Sequence, residues 1–302
     1  MATESPLESL SAHAHADKPA AMPIVSNRAI GSILVADGRL AASHLEEIRR
    51  HAATRKVRFG DAALELKLIT AEDIEFALAR QFDYPILARG GAFGVSDEVV
   101  AAYEPHSPLV ERLRGIRSQL MLLPRNEIGS QALAIVSASR GEGRSLFAAN
   151  LATVFAQTGS RTLLIDADLR HGRQQALFKL PTEAGLSALL TGRCGMEAVR
   201  QIHPDLELHV LSAGGVAPNP QELLSRPAFE ALLARATEDY DVVIIDTPAL
   251  TDSADAQVIA ARAGMALVLA RRNYSRHRLL RAASASLAQT GVNVVGSVIN
   301  DY

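Results

Sequence analysis

Short apolar runs alternate with longer amphipathic stretches through the second half of the chain. Five of the runs predict buried strands, at Arg161–Asp168, Leu206–Ala213, Val242–Asp246, Met265–Arg271 and Val292–Ile299. The stretches between them predict helices, at Thr182–Leu190, Gln221–Ala236, Ser253–Ala263 and Ser275–Thr290. This alternation indicates an α/β fold, with a doubly wound and mostly parallel sheet whose ligands gather at the carboxyl ends of the strands.

An earlier strand, Ala132–Val136, leads through a glycine-bearing turn at Ser137–Gly143 into a predicted helix at Ser145–Ala156. In such a turn the backbone N–H groups converge on an anion, and the helix N-terminus adds about half a positive charge. The segment therefore has the form of a phosphate-binding loop.

The loop departs from the Walker pattern at two positions. Ala138 stands where the first Gly belongs and Arg144 where the Lys belongs, whereas Gly143 and Ser145 match. The pattern alone leaves two interpretations open, a nucleotide-binding loop and a plain strand-turn-helix.

Carboxylates close two of the predicted strands. Asp166 and Asp168 are two residues apart at the end of one strand, and Asp246 ends another. A buried carboxylate is costly unless it holds a metal, a proton or a helix cap. Beside a phosphate loop, these oxygens and the Ser145 hydroxyl suit Mg²⁺, while N-capping remains the structural explanation for any one of them.

An internal repeat precedes this region. The segments AIGSILVADGRLAASHLEEI and RFGDAALELKLITAEDIEFAL are in register at a period of 29, the separation of Gly31 and Gly60. Each copy predicts a short helix, a turn and a second helix capped near Ser43 or Thr70.

A further helix is predicted at Val110–Leu123. Its Glu111, Arg114 and Arg117 are three residues apart, so they form one charged ridge beside an apolar face. Intrahelical ion pairing accounts for such a ridge without any partner.

Composition divides the chain into four parts: a disordered tail at 1–27, a helical repeat module at 28–88, a linker at 89–108 and a nucleotide-binding domain at 109–302. With a net charge of −2, the chain has no overall positive charge that would attract nucleic acid. The single Cys194 excludes a disulfide framework and fits a reducing cytoplasm. No apolar run approaches the roughly 18 residues of a membrane span.

Four separated motifs, SASRGEGRSLFAANLA, LLIDADLR, YDVVIIDTPAL and VVGSVIN, resemble in order and spacing those of the bacterial tyrosine kinases of exopolysaccharide export. These kinases are associated with chain-length determinants, and the likeness is greatest to the EpsG type; they are deviant-Walker relatives of the MinD and ParA ATPases. The resemblance runs from about Glu111 to Asn300. The repeat module resembles the N-terminal module of type II secretion and pilus-assembly ATPases, which in some members binds cyclic di-GMP.

The resemblance implies ATP and Mg²⁺ as cofactors. The residues it places around the ATP phosphates are Ser139, Arg140, Gly141, Glu142, Gly143, Arg144 and Ser145. It places Ser145, Asp166 and Asp246 on the Mg²⁺. Asp166 would also act as the base towards tyrosine, supported by Asp168, with Arg144 in the place of the catalytic lysine and Asn300 near the nucleobase.

The resemblance also implies a membrane context. Its expected partner is a transmembrane polysaccharide chain-length-determinant protein, which would hold the chain in the cytoplasm at the inner membrane. The ridge of Glu111, Arg114 and Arg117 matches the family's subunit-interface motif and predicts self-association.

The chain departs from the family in having Arg144 and, in place of a tyrosine-rich tail, the single Tyr302. Two alternatives to a kinase stay open. One is a nucleotide-gated adaptor without kinase chemistry. The other is a cyclic di-GMP-responsive regulator, which would use Arg58 and the repeated glycines Gly31 and Gly60.

Overall fold

The computed structural model describes residues 29–82, 84–87, 89, 94–123, 132–181 and 184–301. The predicted tail at 1–27 and the terminal Tyr302 lie outside the described residues. Along the described chain a group of helices comes first, and a sheet with helices on both faces follows.

The repeat region forms helices α1 (Ile30–Ala36), α2 (Leu45–Arg55), α3 (Phe59–Glu65) and α4 (Ala71–Gln81) around a core of its own. The repeated glycines allow these helices to pack closely. A Cβ at Gly31 would lie 2.8 Å from Leu45 Cδ2, and one at Gly60 would lie 3.1 Å from Ile74 Cδ1. Leu45 and Ile74 are themselves equivalent in the repeat, so both copies use the same contact.

Of the two predicted helix caps, one is confirmed and one is wrong. Thr70 forms a capping box with Asp73, whose backbone N–H donates to Thr70 Oγ1 over 3.2 Å. Ser43 caps no helix, because it lies inside a short 3₁₀ turn at Ala42–His44, and α2 begins only at Leu45.

Residues 94–107 connect the repeat region to the sheet and pack against it. The predicted linker contains a 3₁₀ turn at Val100–Ala102, and its Ala101 is fully buried. Helix α5 (Pro108–Met121) then begins at Ser107, whose hydroxyl accepts from the N–H of Val110.

The sheet has seven strands: β1 (Ala132–Ser137), β2 (Thr162–Asp166), β3 (Arg200–His203), β4 (Leu206–Leu211), β5 (Val242–Asp246), β6 (Gly264–Arg271) and β7 (Asn293–Asn300). Their order is β3-β4-β2-β5-β1-β6-β7. β3 pairs antiparallel with β4, and the other neighbours pair in parallel. The predicted α/β class with a mostly parallel sheet is therefore confirmed.

Helices cover both faces of the sheet. They are α6 (Arg144–Ala156), α7 (Gln174–Leu177), α8 (Leu186–Leu190), α9 (Pro220–Leu224), α10 (Pro227–Asp239), α11 (Asp255–Ala263) and α12 (His277–Gln289). α5 and α6 pack on one face, and α8 to α12 supply the core of the other. No helix within the described ranges is long and apolar enough to cross a membrane.

Several elements differ from the sequence-based prediction, among them the short helix α7, which was not predicted. The helix predicted at Gln221–Ala236 is two helices, because Pro227 begins the second one and Arg226 before it is extended. The edge strand β3 was not predicted, since its four residues are mostly polar and only Ile202 among them is buried.

Candidate functional site

Three adjacent strands bring the predicted site residues together. β5 lies between β2 and β1, so the carboxyl ends of all three meet at one edge of the sheet. Asp166 at the end of β2 is in register with Asp246 at the end of β5, and Ile135 of β1 is in register with the same Asp246. The loop after β1 therefore faces both carboxylates.

The loop after β1 turns through two left-handed glycines, Gly141 at φ 76° and Gly143 at φ 94°. Gly143 stands at the N-cap of α6 and has no side chain with which to cap it. Because the first turn of a helix leaves backbone N–H groups without an intrahelical acceptor, these donors suit an anion.

Polar contacts from the neighbouring strands hold the loop in place. The buried Glu142 accepts from the N–H of Ser139 over 2.8 Å and from the hydroxyl of Ser275. Asn300 donates from Nδ2 to the Glu142 carbonyl over 3.1 Å, and Arg271 donates to the Gly141 carbonyl over 3.0 Å. The Glu142 carboxylate thus turns into the protein, where it shapes the loop.

Arg144 is buried at the start of α6 and is bonded to the protein itself. Its Nε donates to the Thr247 carbonyl over 2.9 Å, and its Nη1 donates to the Ser139 carbonyl over 2.8 Å and to the Ser137 hydroxyl. The guanidinium therefore braces the loop against the end of β5, and Nη2 is the nitrogen that remains for a phosphate.

Asp246 is fully buried, and among the described residues only one of its two carboxylate oxygens has a hydrogen-bond donor. Its Oδ2 accepts from Gln174 Nε2 over 2.8 Å, whereas its Oδ1 has no hydrogen-bond partner among the described residues. Burial raises the pKa of Asp246 to about 6, although the hydrogen bond from Gln174, the nearby Ser145 hydroxyl and the Arg144 guanidinium oppose this rise. A buried carboxylate oxygen without a donor is suited to a cation.

The donor set around Asp246 fits Mg²⁺. Within the part of the chain that the structure describes, no group of three or more His, Cys, Asp or Glu forms a metal cage. Mg²⁺ in nucleotide sites uses one or two carboxylates and takes its other ligands from water and phosphate. Asp246 Oδ1 and the Ser145 hydroxyl beside it supply the protein's share of such a set.

Asp166 and Asp168 differ from Asp246 because their oxygens accept backbone hydrogen bonds. Asp166 Oδ1 accepts from the N–H of Asp168 over 3.2 Å, and its Oδ2 from the N–H of Gln174 over 2.9 Å. Burial and the neighbouring Asp246 raise the pKa of Asp166 well above its ordinary value. Asp168 Oδ1 accepts from the N–H groups of Arg170 and His171, so it shapes the turn after β2.

Two other arginines near the loop have acidic partners. Arg140 pairs with Asp252 over 2.8 Å, and Arg170 pairs with Asp255 over 3.2 Å. A cleft of about 390 Å³ opens beside the loop, lined by Arg140, Gly141, Gly143, Arg144, Ser145, Leu146, Asp168, His171, Arg173, Arg271 and Asn300. It contains seven of the eleven residues predicted for the site; Ser139, Glu142, Asp166 and Asp246 are the other four.

A larger groove, of about 920 Å³, lies away from these residues, between helices α1 and α4 and the C-terminal end of α6. Its size does not make it the reaction site, because the glycine loop and the buried carboxylates lie at the opposite end of α6. The chemistry therefore belongs to the smaller cleft.

Sequence reasoning missed Gln174, which contacts all three parts of the site. Its side chain donates to Asp246 and to the Ser145 carbonyl, and its backbone donates to Asp166. No sequence pattern marks this glutamine, because its partners are 29 and 72 residues away.

The charged ridge on α5 is partly used within the chain. Arg114 pairs with Glu111 over 3.0 Å and lies over the Tyr84 ring, 5.0 Å from its centroid. Arg117 donates to the Val154 carbonyl of α6 over 3.0 Å. Glu111, with 71% of its side chain exposed, is the member most open to another molecule.

Comparison with known sequences gives close relatives, although no family model matches the chain. The tyrosine-protein kinase YwqD of Bacillus subtilis strain 168 is 37% identical over 203 residues, which are 67% of this chain and 85% of YwqD. The tyrosine-protein kinase Etk of Escherichia coli K12 is 35% identical over 204 residues, 67% of this chain. The chain spans only 28% of the length of Etk.

Solved structures show the same likeness. The chimerical protein CapA2B2 has a TM-score of 0.64 at 32% identity, over 75% of this chain and 98% of the chimera. The kinase domain of E. coli ETK has a TM-score of 0.65 at 31% identity, over 70% and 82% of the two chains. The septum site-determining protein MinD of Pyrococcus horikoshii, solved with Mg-ADP, shares the fold at a TM-score of 0.50 and 20% identity, over 56% and 70%.

Proposed function

The chain belongs to the family of bacterial tyrosine-protein kinases, and from this membership we propose that it transfers a phosphoryl group from Mg²⁺-ATP to tyrosine. The observation that carries the proposal concerns Oδ1 of the buried Asp246, which lies beside Ser145 and the glycine loop and has no hydrogen-bond partner in the part of the chain that the structure describes. A folded protein leaves such an oxygen unsatisfied at a cost, and a cation removes that cost.

Each residue of the site has a role in this proposal. The N–H groups of the loop and of the first turn of α6 bind the phosphates, and Ser145 and Asp246 would hold the ion directly, with Asp166 holding it through water. The ion supplies neutralisation of charge on the phosphate oxygens. Asp168 keeps the turn after β2 in shape, and Asn300 lies near the nucleobase.

We assign Asp166 the part of the base that accepts the proton of the tyrosine hydroxyl. A carboxylate with a raised pKa is a better proton acceptor near neutral pH than an ordinary one, and burial gives Asp166 this property. Its two backbone hydrogen bonds, from Asp168 and Gln174, fix its orientation.

Phosphotransfer by purified protein tests this function. Wild type, Asp166→Asn, Asp246→Ala and the control Asp241→Asn are incubated with Mg²⁺-ATP, and phosphotyrosine is read by mass spectrometry. We expect Asp246→Ala to lose Mg²⁺-dependent ADP binding in calorimetry, and Asp166→Asn to bind ADP but transfer at least about a hundredfold more slowly. Asp241 is a half-exposed carboxylate just before β5, paired with Arg161, so its variant should resemble wild type. Nucleotide binding without any labelled tyrosine would favour the adaptor.

Arg144 provides a second test, because the loop fits its guanidinium. One lysine nitrogen cannot replace donors that reach Thr247, Ser139 and Ser137 from two guanidinium nitrogens. We expect Arg144→Lys to lower the free energy of unfolding by about 1–2 kcal/mol and to give no faster phosphotransfer. Arg235→Lys, at an exposed ion pair on α10, is the control. A faster Arg144→Lys enzyme would show that the arginine is a handicap.

We propose further that the kinase acts in exopolysaccharide chain-length control with a transmembrane partner, at the cytoplasmic side of the inner membrane. The four sequence motifs and the likeness to the chimerical protein CapA2B2 support this proposal. Co-purification with a co-expressed chain-length-determinant protein, and its loss when that protein's cytosolic segments are removed, would test it.

Self-association through the α5 ridge belongs to the same proposal. Glu111 is exposed and Arg114 is partly so, and arginine forks pair bidentately with carboxylates across interfaces. We expect Arg114→Glu to release subunits in sedimentation velocity, and Arg112→Glu, the same change at an exposed neighbour, to leave the assembly intact. A monomeric wild type in both nucleotide states would contradict this.

Cyclic di-GMP binding by the repeat region stays a prediction. The glycines Gly31 and Gly60 already have a packing role, which weakens them as signs of a ligand. Arg58 is exposed at the N-cap of α3. NMR titration of the full chain with cyclic di-GMP decides the question, with Arg58→Ala as the variant, and an unchanged spectrum would leave protein docking as the role of these helices.

A further inference from the structure

Gln174 is the first residue of the short helix α7, and it is fully buried. Its backbone N–H donates to Asp166 Oδ2 over 2.9 Å. Its side-chain Nε2 donates to Asp246 Oδ2 over 2.8 Å and to the Ser145 carbonyl over 3.0 Å. One residue therefore links the ends of β2 and β5 with the beginning of α6.

The chemistry of the partners fixes which way the amide points. Both atoms facing Nε2 are acceptors, a carboxylate oxygen of Asp246 and the carbonyl of Ser145. A flipped amide would place its own oxygen against both of them, so only the NH₂ group fits. Both N–H groups of the amide are then used, one for each acceptor.

We propose that Gln174 is a positioning residue for the metal-binding carboxylate, an inference that rests on the proposed Mg²⁺-nucleotide function. By donating to Oδ2 of Asp246, Gln174 fixes the rotation of the carboxylate. Oδ1 is thereby the oxygen left for a cation, in agreement with its lack of a partner among the described residues. The same amide fixes Ser145, the other proposed ligand, through its carbonyl.

The carbonyl oxygen of the Gln174 side chain supports this role. Oε1 is buried and has no hydrogen-bond partner within the described ranges. A glutamine that served packing alone would be expected to have all its buried polar atoms satisfied. Oε1 and Asp246 Oδ1 are thus two unsatisfied acceptors in one network, which suits a cation and the water molecules that accompany it.

The test compares Gln174→Met with Gln175→Met. Methionine keeps the length of the side chain and removes both donors. Gln175 is the half-buried neighbour on the same helix, and among the described residues its side chain makes no hydrogen bond to the site. Mn²⁺ binding to the ADP complex is followed by electron paramagnetic resonance, and ADP binding in EDTA by calorimetry. We expect Gln174→Met to weaken Mn²⁺ binding on the order of ten- to a hundredfold and to leave ADP binding in EDTA within about twofold of wild type.

Three results would overturn the inference. Gln174→Met and Gln175→Met could bind Mn²⁺ equally well, which would remove any positioning role. Gln174→Met could lose ADP binding in EDTA as strongly as Mn²⁺ binding, which would make its role structural. Wild type could bind ADP without any dependence on Mn²⁺, which would remove the proposed function itself.

A second variant covers the case in which Gln174→Met does not fold. Gln174→Asn keeps the amide but is one methylene shorter, so it cannot reach Asp246 and Ser145 as glutamine does. We expect the Mn²⁺ affinity of Gln174→Asn to lie between those of wild type and Gln174→Met. If Gln174→Met does not fold, we expect the affinity of Gln174→Asn to be lower than that of Gln175→Met. Wild-type affinity in the asparagine variant would overturn the proposal.

Discussion

Two aspartates, one among the N-terminal helices and one at the edge of the sheet, have opposite surroundings. Asp73 accepts from the N–H and hydroxyl of Thr70, each over 2.8 Å, and pairs with Arg39 over 2.6 Å. Although burial opposes it, these contacts hold the pKa of Asp73 below its ordinary value. Asp246 is more deeply buried, and burial raises its pKa to about 6.

The difference means that ionised Asp73 stabilises the fold, whereas ionised Asp246 destabilises it. The surroundings of Asp73 favour the charged form, so its ionisation contributes to stability. The surroundings of Asp246 disfavour the charged form, so its ionisation costs stability until a cation arrives. We infer that the helices are organised around satisfied contacts and the sheet edge around a ligand.

The largest expected effect comes from Asp246→Asn. A rise in pKa from 3.8 to about 6 corresponds to about 3 kcal/mol. Because the folded pKa is raised, stability is lost as pH rises from about 4 to about 6, and the loss stays constant above that range. In EDTA at pH 8 we expect the asparagine variant to be more stable than wild type by about 1–3 kcal/mol, while losing Mg²⁺-dependent ADP binding.

Thermal melting in EDTA at pH 4.5, 6 and 8 measures this effect. The gap between Asp246→Asn and wild type should open between pH 4.5 and 6, and Asp241→Asn should show no such gap. An asparagine variant that is less stable than wild type at pH 8 would mean that Asp246 is a structural residue, and the comparison with Asp73 would fail.

The two regions also differ in how far their contacts could be predicted from sequence. Thr70 and Asp73 are three residues apart, so their mutual cap is visible as a local pattern. Apolar strands such as β2 and β5 are visible for the same reason, since a strand buried on both faces is a continuous run of apolar residues. Local physics thus accounts for most of the fold.

The site depends on contacts that no local pattern contains. The motifs indicated Asp166, Asp246 and Ser145. The residue that links them, Gln174, lies in a polar stretch of sequence at the start of α7, and the partners of its side chain are far along the chain. Arg144 likewise was visible as a departure from lysine, but its bond to Thr247, 103 residues away, was not. The sequence does not contain the three-dimensional positions of the Gln174 amide and the Arg144 guanidinium, and these positions decide their contacts.

A smaller effect is expected from Asp73→Asn, which tests the other side of the comparison. We expect it to lower the stability of the N-terminal helices by about 1–2 kcal/mol, because it removes charge from a helix cap and from the pair with Arg39. Since the folded pKa of Asp73 is lowered, this loss should be constant from pH 5 to 8 and shrink as pH falls below about 4.

Hydrogen exchange of the amides of α1 to α4 measures the change, with Glu75→Gln as the control at another carboxylate of α4. Mg²⁺-dependent ADP binding should remain that of wild type. If Asp73→Asn weakened nucleotide binding, the helices and the sheet edge would be coupled and the division between them would be wrong.

The smallest effect distinguishes the two copies of the repeat from each other. Gly38 after α1 and Lys67 after α3 are equivalent, and both are left-handed, at φ 74° and 56°. In each copy the residue after the turn donates its backbone N–H to a carbonyl five residues earlier, which ends the helix. Arg39 donates to the Leu34 carbonyl over 2.9 Å, and Leu68 donates to the Ala63 carbonyl over 3.1 Å. The turn suits glycine, and only the first copy has it.

Replacing Gly38 with lysine and Lys67 with glycine measures the free-energy cost of the left-handed backbone conformation at these two positions. A Cβ at Gly38 would meet no atom within 4 Å, and Lys67 is exposed, so neither change disturbs packing. Lys67→Gly should stabilise the helices by about 0.5 kcal/mol, since relief of the left-handed strain exceeds the entropy that glycine adds to the unfolded chain. Gly38→Lys should destabilise them by a similar amount. Hydrogen exchange of α1 to α4 measures both, and a destabilising Lys67→Gly would show that the lysine side chain contributes a contact of its own.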